Sequence, residues 1–480
     1  MKIGRILWPT VVILLAATPS SAAEAAGMAA VPGVGWALPF TALLLSVAVL
    51  PLAPLTKEWW EHNGSKLLVG LALGALVLAH YGTRGYGFEG HPPGLATVVA
   101  VVARVVLEDY LPFLVLLFSL YVIAGGLQLR GDLRARPATN TAILGLGAAM
   151  ASLVGTTGAS MVLIRPLLQT NQERKHVRHT VIFFIFLVSN IGGCLLPLGD
   201  PPLFLGYIKG VPFLWTTRLV LPWLFCVATL LAVYYLWDRR AYRSEAPADI
   251  ARDEAETEPV RLLGSINLVW LLGIVLAVAL LVPGRPLPGT GLVVVDFVRE
   301  GVMLALVGLS LATTPRGLRK ESEFSYGPII EVACLFLGIF LTMTVPIEIL
   351  QARGPALGLA TPGHFFWASG GLSSFLDNAP TYVVFFEAAR ALGNPAGAGG
   401  LLLPGGGVVR EDLLAAISLG AVFMGANTYI GNGPNLMVKA IAEGRGVRMP
   451  GFFGYMAYSA LVLLPLFGLV WLLFLSGSGG

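Results

Sequence analysis

Several oxygen-bearing side chains stand inside otherwise apolar stretches of this sequence, where a polar group is energetically costly. Asp377, Asn378 and Thr381 lie within about one helical turn of each other. They offer carboxylate, amide and hydroxyl oxygens, which are the ligands that a hard cation prefers. Because desolvation disfavours an ionised carboxylate, a buried Asp377 would exchange a bound sodium ion for a proton. The pattern predicts a cation or proton site, and a helix cap at Asp377 is the competing interpretation.

Further polar residues interrupt three other apolar stretches. Their members are Asn190 and Asp200 in the first stretch, Asn427, Asn432 and Asn435 in the second, and Thr156 and Thr157 in the third. An asparagine there can ligate an ion, can satisfy backbone groups that a broken helix leaves free, or can do both. Asp200 precedes two prolines, so it fits a helix N-cap as well as it fits an ion ligand. The two threonines supply hydroxyl groups.

Composition decides what kind of protein holds these groups. Of 480 residues, 56% are hydrophobic and 12% are charged, and the mean hydropathy is +0.78. Soluble domains carry about 25% charged residues, so a soluble enzyme, a nucleic-acid binder and a disordered scaffold are excluded. The three cysteines form no CxxC pair, and the sequence has no HExxH, GxGD or GxSG motif of a membrane enzyme. We therefore expect a polytopic membrane protein without a cofactor, whose partners are the lipid bilayer and a small solute.

The order of apolar stretches predicts the topology. Residues 1–26 have the basic, apolar and small-residue regions of a signal peptide. Ten stretches are long enough to span a bilayer, namely 36–54, 66–82, 98–129, 179–197, 213–236, 263–282, 292–313, 327–350, 411–430 and 452–476. Two more, 140–170 and 364–392, are broken near their middle, which predicts re-entrant hairpins. With that assignment the arginine-rich loops share one side, which is cytoplasmic by the positive-inside rule.

The same order of elements occurs twice. Residues 27–237 form an N-terminal half with hairpin 140–170, and residues 262–480 form a C-terminal half with hairpin 364–392. The charged segment 238–261 between them is expected to be a solvated cytoplasmic linker. The predicted fold class is therefore an all-α polytopic membrane protein with two inverted-topology repeats, each with a re-entrant helical hairpin and a broken transmembrane helix. Paired interruptions of this kind indicate the central site of a secondary transporter.

Three motifs resemble a known superfamily. The run from Ser189 to Asp200 resembles the Asn-x-Gly-Gly…Pro-x-Gly-Asp segment of NhaD-type sodium/proton antiporters. The Asp377-Asn378-Ala379-Pro380 stretch is similar to one in the same group, and the run from Gly425 to Asn435 is similar to a branch of citrate transporters (CitMHS-like). All belong to the ion transporter superfamily, and the resemblance covers roughly residues 100–470. The first hairpin departs from the antiporters, because its tip at Thr156 and Thr157 lacks an acidic or asparagine residue.

Two functions follow from the residues and the resemblance together. A carboxylate that alternates between sodium and a proton favours sodium/proton antiport by alternating access in the inner membrane. Sodium- or proton-coupled transport of citrate or a dicarboxylate is the alternative, in which a cation must offset the charge of Asp377. Transported sodium ions and protons are expected in the first case. The resemblance also implies a homodimer.

Overall fold

A computed structural model describes residues 31–51, 53–287, 289–321, 324–393, 399–404 and 406–476. The predicted signal peptide lies outside the described residues. The helices, in chain order, are α1 Leu38–Val49, α2 Lys57–Glu61, α3 Asn63–Thr83, α4 Leu95–Ala103, α5 Leu111–Ala124, α6 Pro137–Val154, α7 Thr156–Thr170, α8 Arg178–Leu187, α9 Pro201–Ile208, α10 Val220–Tyr242, α11 Pro247–Ala255, α12 Ile266–Leu280, α13 Val298–Thr313, α14 Leu318–Glu321, α15 Gly327–Arg353, α16 Pro362–Ser373, α17 Asn378–Ala391, α18 Glu411–Met424, α19 Gly433–Gly444 and α20 Phe452–Val470.

Four short strands form two separate antiparallel pairs. They are β1 Gln128–Asp132 with β2 Glu258–Leu263, and β3 Gly400–Leu402 with β4 Val408–Arg410. Seven helical segments among the described residues are long and apolar enough to cross a membrane. One of them joins α4 and α5 through a π-helical turn, Arg104–Tyr110, where the sequence places Glu108 and Asp109 in an apolar stretch. The chain is a predominantly helical, multi-pass membrane protein, as its composition predicts.

The described residues form two compact units. The first comprises the residues up to Leu111 together with Ile330–Leu359 and Phe386–Gly393, and the second comprises the rest. Within the first unit, α3 packs so closely on α15 that a Cβ on Gly70 would lie 3.1 Å from the Gly338 Cα. Two ion pairs join the same helices, Lys66 with Glu331 and Arg84 with Glu348, each at 2.7 Å. Charges inside these spans are therefore neutralised in pairs.

The second unit contains the first predicted hairpin and most of the second, whose residues 386–392 belong to the first unit. Helices α6 and α7 meet at Gly155, whose φ of 82° is readily adopted only by glycine. The second hairpin consists of α16 and α17, but α16 packs closely on α18, where a Cβ at Gly420 would lie 2.6 Å from the Phe366 carbonyl oxygen. Both tips, at Gly155 and at Asp377, fall where the sequence predicts an interruption. The inverted orientation of the two halves stays a prediction.

The charged segment 238–261 is ordered, although most of its residues are exposed. It contains the end of α10, all of α11 and most of β2, which pairs with β1 in the register Leu129 opposite Leu262. Asp253 of α11 is buried and accepts hydrogen bonds from the Ala135 N–H at 3.0 and 3.1 Å. Strand pairing and this carboxylate give the segment fixed partners that local charge patterning does not reveal.

Asp132 makes the stability of the β1–β2 pair depend on pH. Burial, followed by repulsion from Glu173, Asp253, Glu258 and Glu256, raises the pKa of Asp132 to about 6. An acid whose pKa is raised by folding stabilises the fold less as pH rises from its unfolded value through the folded one. Asp132→Asn should therefore increase hydrogen-exchange protection of β1 and β2 at pH 7.5, by about tenfold after solvent screening, and should have little effect at pH 4.

The matched control for that experiment is Glu258→Gln in β2. It removes one of the repelling charges from an exposed position and leaves the buried Asp132 in place. We expect a smaller gain in protection at pH 7.5 than Asp132→Asn gives. Lower protection of β1 and β2 in Asp132→Asn at pH 7.5 would show that the ionised carboxylate stabilises the strand pair.

Candidate functional site

The first helix break follows α8 and is stabilised by a serine from the hairpin. Asn190, at φ −140° and ψ −82°, ends the helical path before a 3-10 turn over Ile191–Leu195. Ser152 of α6 donates to the Gly192 carbonyl at 2.6 Å, and its oxygen accepts from the Leu195 N–H at 3.1 Å. Backbone groups that a broken helix leaves free must find such partners inside a membrane. The break is thus a fixed, satisfied structure.

The second break, after α18, repeats this local design. A 3-10 turn over Gly425–Asn427 precedes α19, and Ser373 donates to the Ala421 carbonyl at 2.6 Å. Asp200 and Asn432 each immediately precede the resumed helix, with backbone angles of −147°, 142° and −153°, 140°. These two residues therefore occupy equivalent places in the two breaks, and one of them carries a charge.

Asp200 lies at the centre of the site. Its residue is 1% exposed, and its side chain makes no capping contact with α9. It accepts hydrogen bonds from three side chains, Thr156 at 3.0 Å, Asn378 at 2.5 Å and Asn432 at 3.1 Å. The donors come from the first tip, the second tip and the second break, and Asp200 itself follows the first break. All four irregular segments therefore meet at this carboxylate. Asp200 therefore precedes α9 without capping it through its side chain, and its role as an ion ligand stays a prediction.

All the donors to Asp200 are neutral. Among the described residues no lysine or arginine forms an ion pair with it. Removing a charge from water is unfavourable unless it is paired and hydrogen-bonded. Neutral donors provide the hydrogen bonds without providing the countercharge. A buried carboxylate in that state is suited to accept a cation or a proton.

The asparagines of the two breaks link them to each other. The Asn190 amide nitrogen donates to the Ile185 carbonyl and to the Asn435 side-chain oxygen, both at 2.8 Å. Asn435 in turn donates to the carbonyls of Gly425 and Thr428. Asn432 donates to the Ser189 carbonyl at 3.0 Å in addition to Asp200. These amides therefore satisfy backbone groups at the breaks, and Asn432 also contacts the carboxylate. Ion ligation by the asparagines stays a prediction.

Three amide oxygens of the site are buried without a hydrogen-bond partner. They belong to Asn190, Asn378 and Asn427. The amide nitrogens of Asn190 and Asn378 donate to firm acceptors, which fixes the direction of the oxygens. A buried acceptor left unpaired costs about 1–3 kcal/mol. The Asn378 oxygen belongs to an amide that donates to Asp200. An unpaired oxygen in that place fits a hard cation, since such a cation takes oxygen ligands.

Other residues singled out by the sequence do not join the hydrogen bonds of Asp200. Asp377 accepts from the Ala379 N–H at 3.0 Å, which is a helix-capping contact, and Thr381 donates to the Asp377 carbonyl at 3.0 Å. Asn427 donates to Ser374 at 2.9 Å. Thr157 is half-buried, and its side chain makes no hydrogen bond with a described residue. The capping interpretation of Asp377 therefore matches its contacts.

Two functional serines were missed by sequence reasoning. Ser152 and Ser374 each lie three residues before a tip, at Gly155 and Asp377, and each bonds across to a break. That common spacing was the available signal. No group of three or more His, Cys, Asp or Glu side chains suited to a metal occurs among the described residues. The oxygens of the site are mostly amides and hydroxyls.

A multi-pass fold with paired helix breaks around one buried carboxylate defines a membrane transporter. The chain belongs to the family described as "Putative citrate transport", whose model matches residues 29–475. No curated protein matches the chain. The matched range includes both helix breaks and both hairpin tips. Its description supports the citrate branch of the superfamily and gives no support to an enzymatic role.

Proposed function

We propose that this protein transports citrate together with a cation, and that the cation binds at Asp200. The observation that supports this most is the buried carboxylate of Asp200, which has three neutral donors and forms no ion pair within the described part of the chain. The unpaired oxygen of Asn378 belongs to one of those donors. The family description supports the citrate reading over the sodium/proton antiport that the sequence alone favours. We further propose alternating access between two inverted repeats in the inner membrane, with a homodimer as the working assembly.

The charges of the site explain why the anion needs a cation. Citrate is a polyanion at neutral pH, and Asp200 adds another negative charge to a buried environment. Two such groups repel each other strongly where water is excluded. A cation held by Asp200 would cancel the repulsion and create the binding site for citrate. Coupling follows, because citrate is then stable in the site only when the cation is bound.

Sodium is the cation that the donors favour most, and a proton is the competitor. Sodium would use the unpaired oxygens of Asn190, Asn378 and Asn427, which a single proton on Asp200 would leave unsatisfied. Burying those oxygens unpaired is costly, so filling them is a gain available only to an ion with several ligands. We therefore propose sodium as the coupling ion.

A proteoliposome experiment tests the proposal. Uptake of radiolabelled citrate is measured with an inward sodium gradient, with an inward proton gradient and with neither. We expect sodium-driven uptake that is at least tenfold above the gradient-free rate, with succinate as a second substrate for comparison. In a parallel assay, a pH-sensitive dye follows proton movement driven by sodium without citrate.

The outcomes separate the candidate functions. Citrate uptake driven only by protons would contradict sodium as the coupling ion and retain citrate as the substrate. Sodium-driven proton movement without citrate, combined with no citrate uptake, would contradict citrate transport and establish the antiport. Empty liposomes and liposomes with the Asp200→Asn variant provide the baselines.

A further inference from the structure

A cavity of about 900 Å³ lies away from the transport site in the second unit. It is formed by the loop between α7 and α8, the end of α10 and the loop between α19 and α20. None of its lining residues is acidic. Its cationic lining residues are Arg174, Lys175, Arg178, Arg445 and Arg448, joined by two histidines. We call it the basic cavity.

Part of this positive charge is already neutralised by acidic residues that do not line the cavity. Arg174 contacts Asp238 at 2.6 Å, and His179 contacts the same carboxylate at 2.8 Å. Lys175 lies 3.2 Å from Asp249. Arg174, Lys175 and His179 therefore form contacts within the protein and stabilise the wall of the cavity. They leave only part of the charge available to a ligand.

Three arginines keep their charge for a ligand. Arg178, Arg445 and Arg448 are exposed and form no ion pair with any described residue. The Arg178 Nε donates to the Arg448 carbonyl at 2.7 Å, which joins the two loops without neutralising either guanidinium. Guanidinium groups bind phosphate oxygens in a bidentate manner. The basic cavity is therefore suited to a phosphate-bearing anion.

The walls of the basic cavity continue into surfaces that face lipid. Helices α10 and α20 are neighbours, with ring centroids 6.0 Å apart for Trp237 and Tyr458, which both line the cavity. Along the same helices, exposed leucines include Leu236 (64%) and Leu461 (70%). Tryptophan and tyrosine prefer the level of the lipid headgroups. A soluble anion would use only the arginines, whereas a phospholipid would use the arginines and the leucines.

We propose that the basic cavity binds an anionic phospholipid, with its phosphate at Arg178, Arg445 and Arg448 and its acyl chains along α10 and α20. The loop charges of the sequence place this end of the helices at the cytoplasmic side, where anionic lipids bind basic pockets between helices. The bound lipid would connect the loop between α7 and α8 with the loop between α19 and α20. The proposal does not depend on the transported substrate.

The test uses the full chain in phosphatidylcholine nanodiscs, titrated with phosphatidylglycerol. Thermal unfolding midpoints give the apparent lipid affinity for the wild type and for a triple variant, Arg178→Gln, Arg445→Gln and Arg448→Gln. Each cationic side chain near an anionic lipid contributes roughly fivefold in affinity. We therefore expect the triple variant to lose about a hundredfold in apparent affinity for phosphatidylglycerol.

The matched control removes three charges elsewhere at the same end of α10. Arg239, Arg240 and Arg243 are exposed and do not line the basic cavity. Their simultaneous change to glutamine should leave the lipid affinity close to that of the wild type. Equal losses in both triple variants would overturn the proposal, because they would show attraction to net charge alone. If the triple variant fails to fold, Arg445→Gln alone should still lose about fivefold.

Two soluble anions distinguish the source of the ligand. Citrate and inorganic phosphate are titrated into the same nanodiscs without phosphatidylglycerol. We expect neither to raise the unfolding midpoint of the wild type in a manner that the triple variant abolishes. A shift of that kind would overturn the lipid assignment and make the basic cavity a site for a soluble anion.

Discussion

Asp200→Asn is expected to reduce sodium-driven citrate uptake by about a hundredfold or more, to the level of empty liposomes. The substitution removes the only charge on a side chain to which both tips and the second break donate hydrogen bonds. Without it, a cation would lose the carboxylate on which these donors converge, and ionisable groups at membrane depth carry function by default. The measurement is the initial rate of labelled citrate uptake in proteoliposomes.

The same substitution should leave the fold intact. The new amide keeps one oxygen for Thr156 and Asn432, and its nitrogen faces Asn378. The Asn378 side-chain oxygen has no hydrogen-bond partner, so a flip of that amide would let it accept from the new nitrogen. We therefore expect an unfolding midpoint close to that of the wild type. A large fall in the midpoint would mean that the loss of transport reports unfolding instead.

Asp377→Asn is the matched control, one residue before Asn378. The Asp377 carboxylate accepts from the Ala379 N–H, and an asparagine caps a helix nearly as well. We expect this variant to retain most sodium-driven citrate uptake. If Asp377→Asn abolishes uptake and Asp200→Asn does not, the cation site is at the second tip, as the sequence alone suggests.

The contrast between these two carboxylates shows where sequence reasoning stops. Polar residues in apolar stretches located every irregular segment of the site, because such residues are tolerated there only for a reason. The sequence could not tell which acid caps a helix and which gathers donors. That distinction depends on Asn378 reaching Asp200, a contact between residues 178 positions apart. Local patterns carry no information about such a pairing.

Similar limits apply to the charged segment 238–261. Its mixed charges favour a solvated connector, and local composition gives no other indication. Its order comes from β1, more than a hundred positions earlier, through pairs such as Leu129 with Leu262. The tip at Gly155, in contrast, could be located from local sequence, because its glycine and threonines interrupt an apolar run. An interruption of a helix can be located from the neighbouring residues, whereas the distant residues that contact it cannot.

The two breaks also differ in a way that bears on mechanism. Asp200 and Asn432 share nearly the same backbone angles before their resumed helices. A charge on both would place two carboxylates in one buried network, and a charge on neither would leave no group to attract a cation. One charged and one neutral residue in equivalent positions gives a single cation-binding centre. The asymmetry of the sequence thus sets the charge of the site.

Gly199→Ala is expected to destabilise the protein by about 3 kcal/mol, at the upper end of overpacking effects. A Cβ at Gly199 would clash with the backbone carbonyl oxygen of Gly193, and a backbone group cannot rotate away as a side chain can. The Gly199 carbonyl also accepts from the Thr156 N–H at 2.8 Å, so a shift of the break would disturb the first tip. The thermal unfolding midpoint and the monodisperse fraction in detergent measure the effect.

Two further glycines of the second break complete this experiment. A Cβ at Gly431 would lie 2.6 Å from the Gly425 carbonyl oxygen, so Gly431→Ala should show a comparable loss. Gly433, two positions later, is exposed and has no atom within 4 Å of an added Cβ. Since it is the first residue of α19, Gly433→Ala should be neutral or slightly stabilising. If Gly199→Ala and Gly431→Ala match Gly433→Ala in stability, the close backbone approach does not hold the breaks in shape, and their hydrogen bonds must do so.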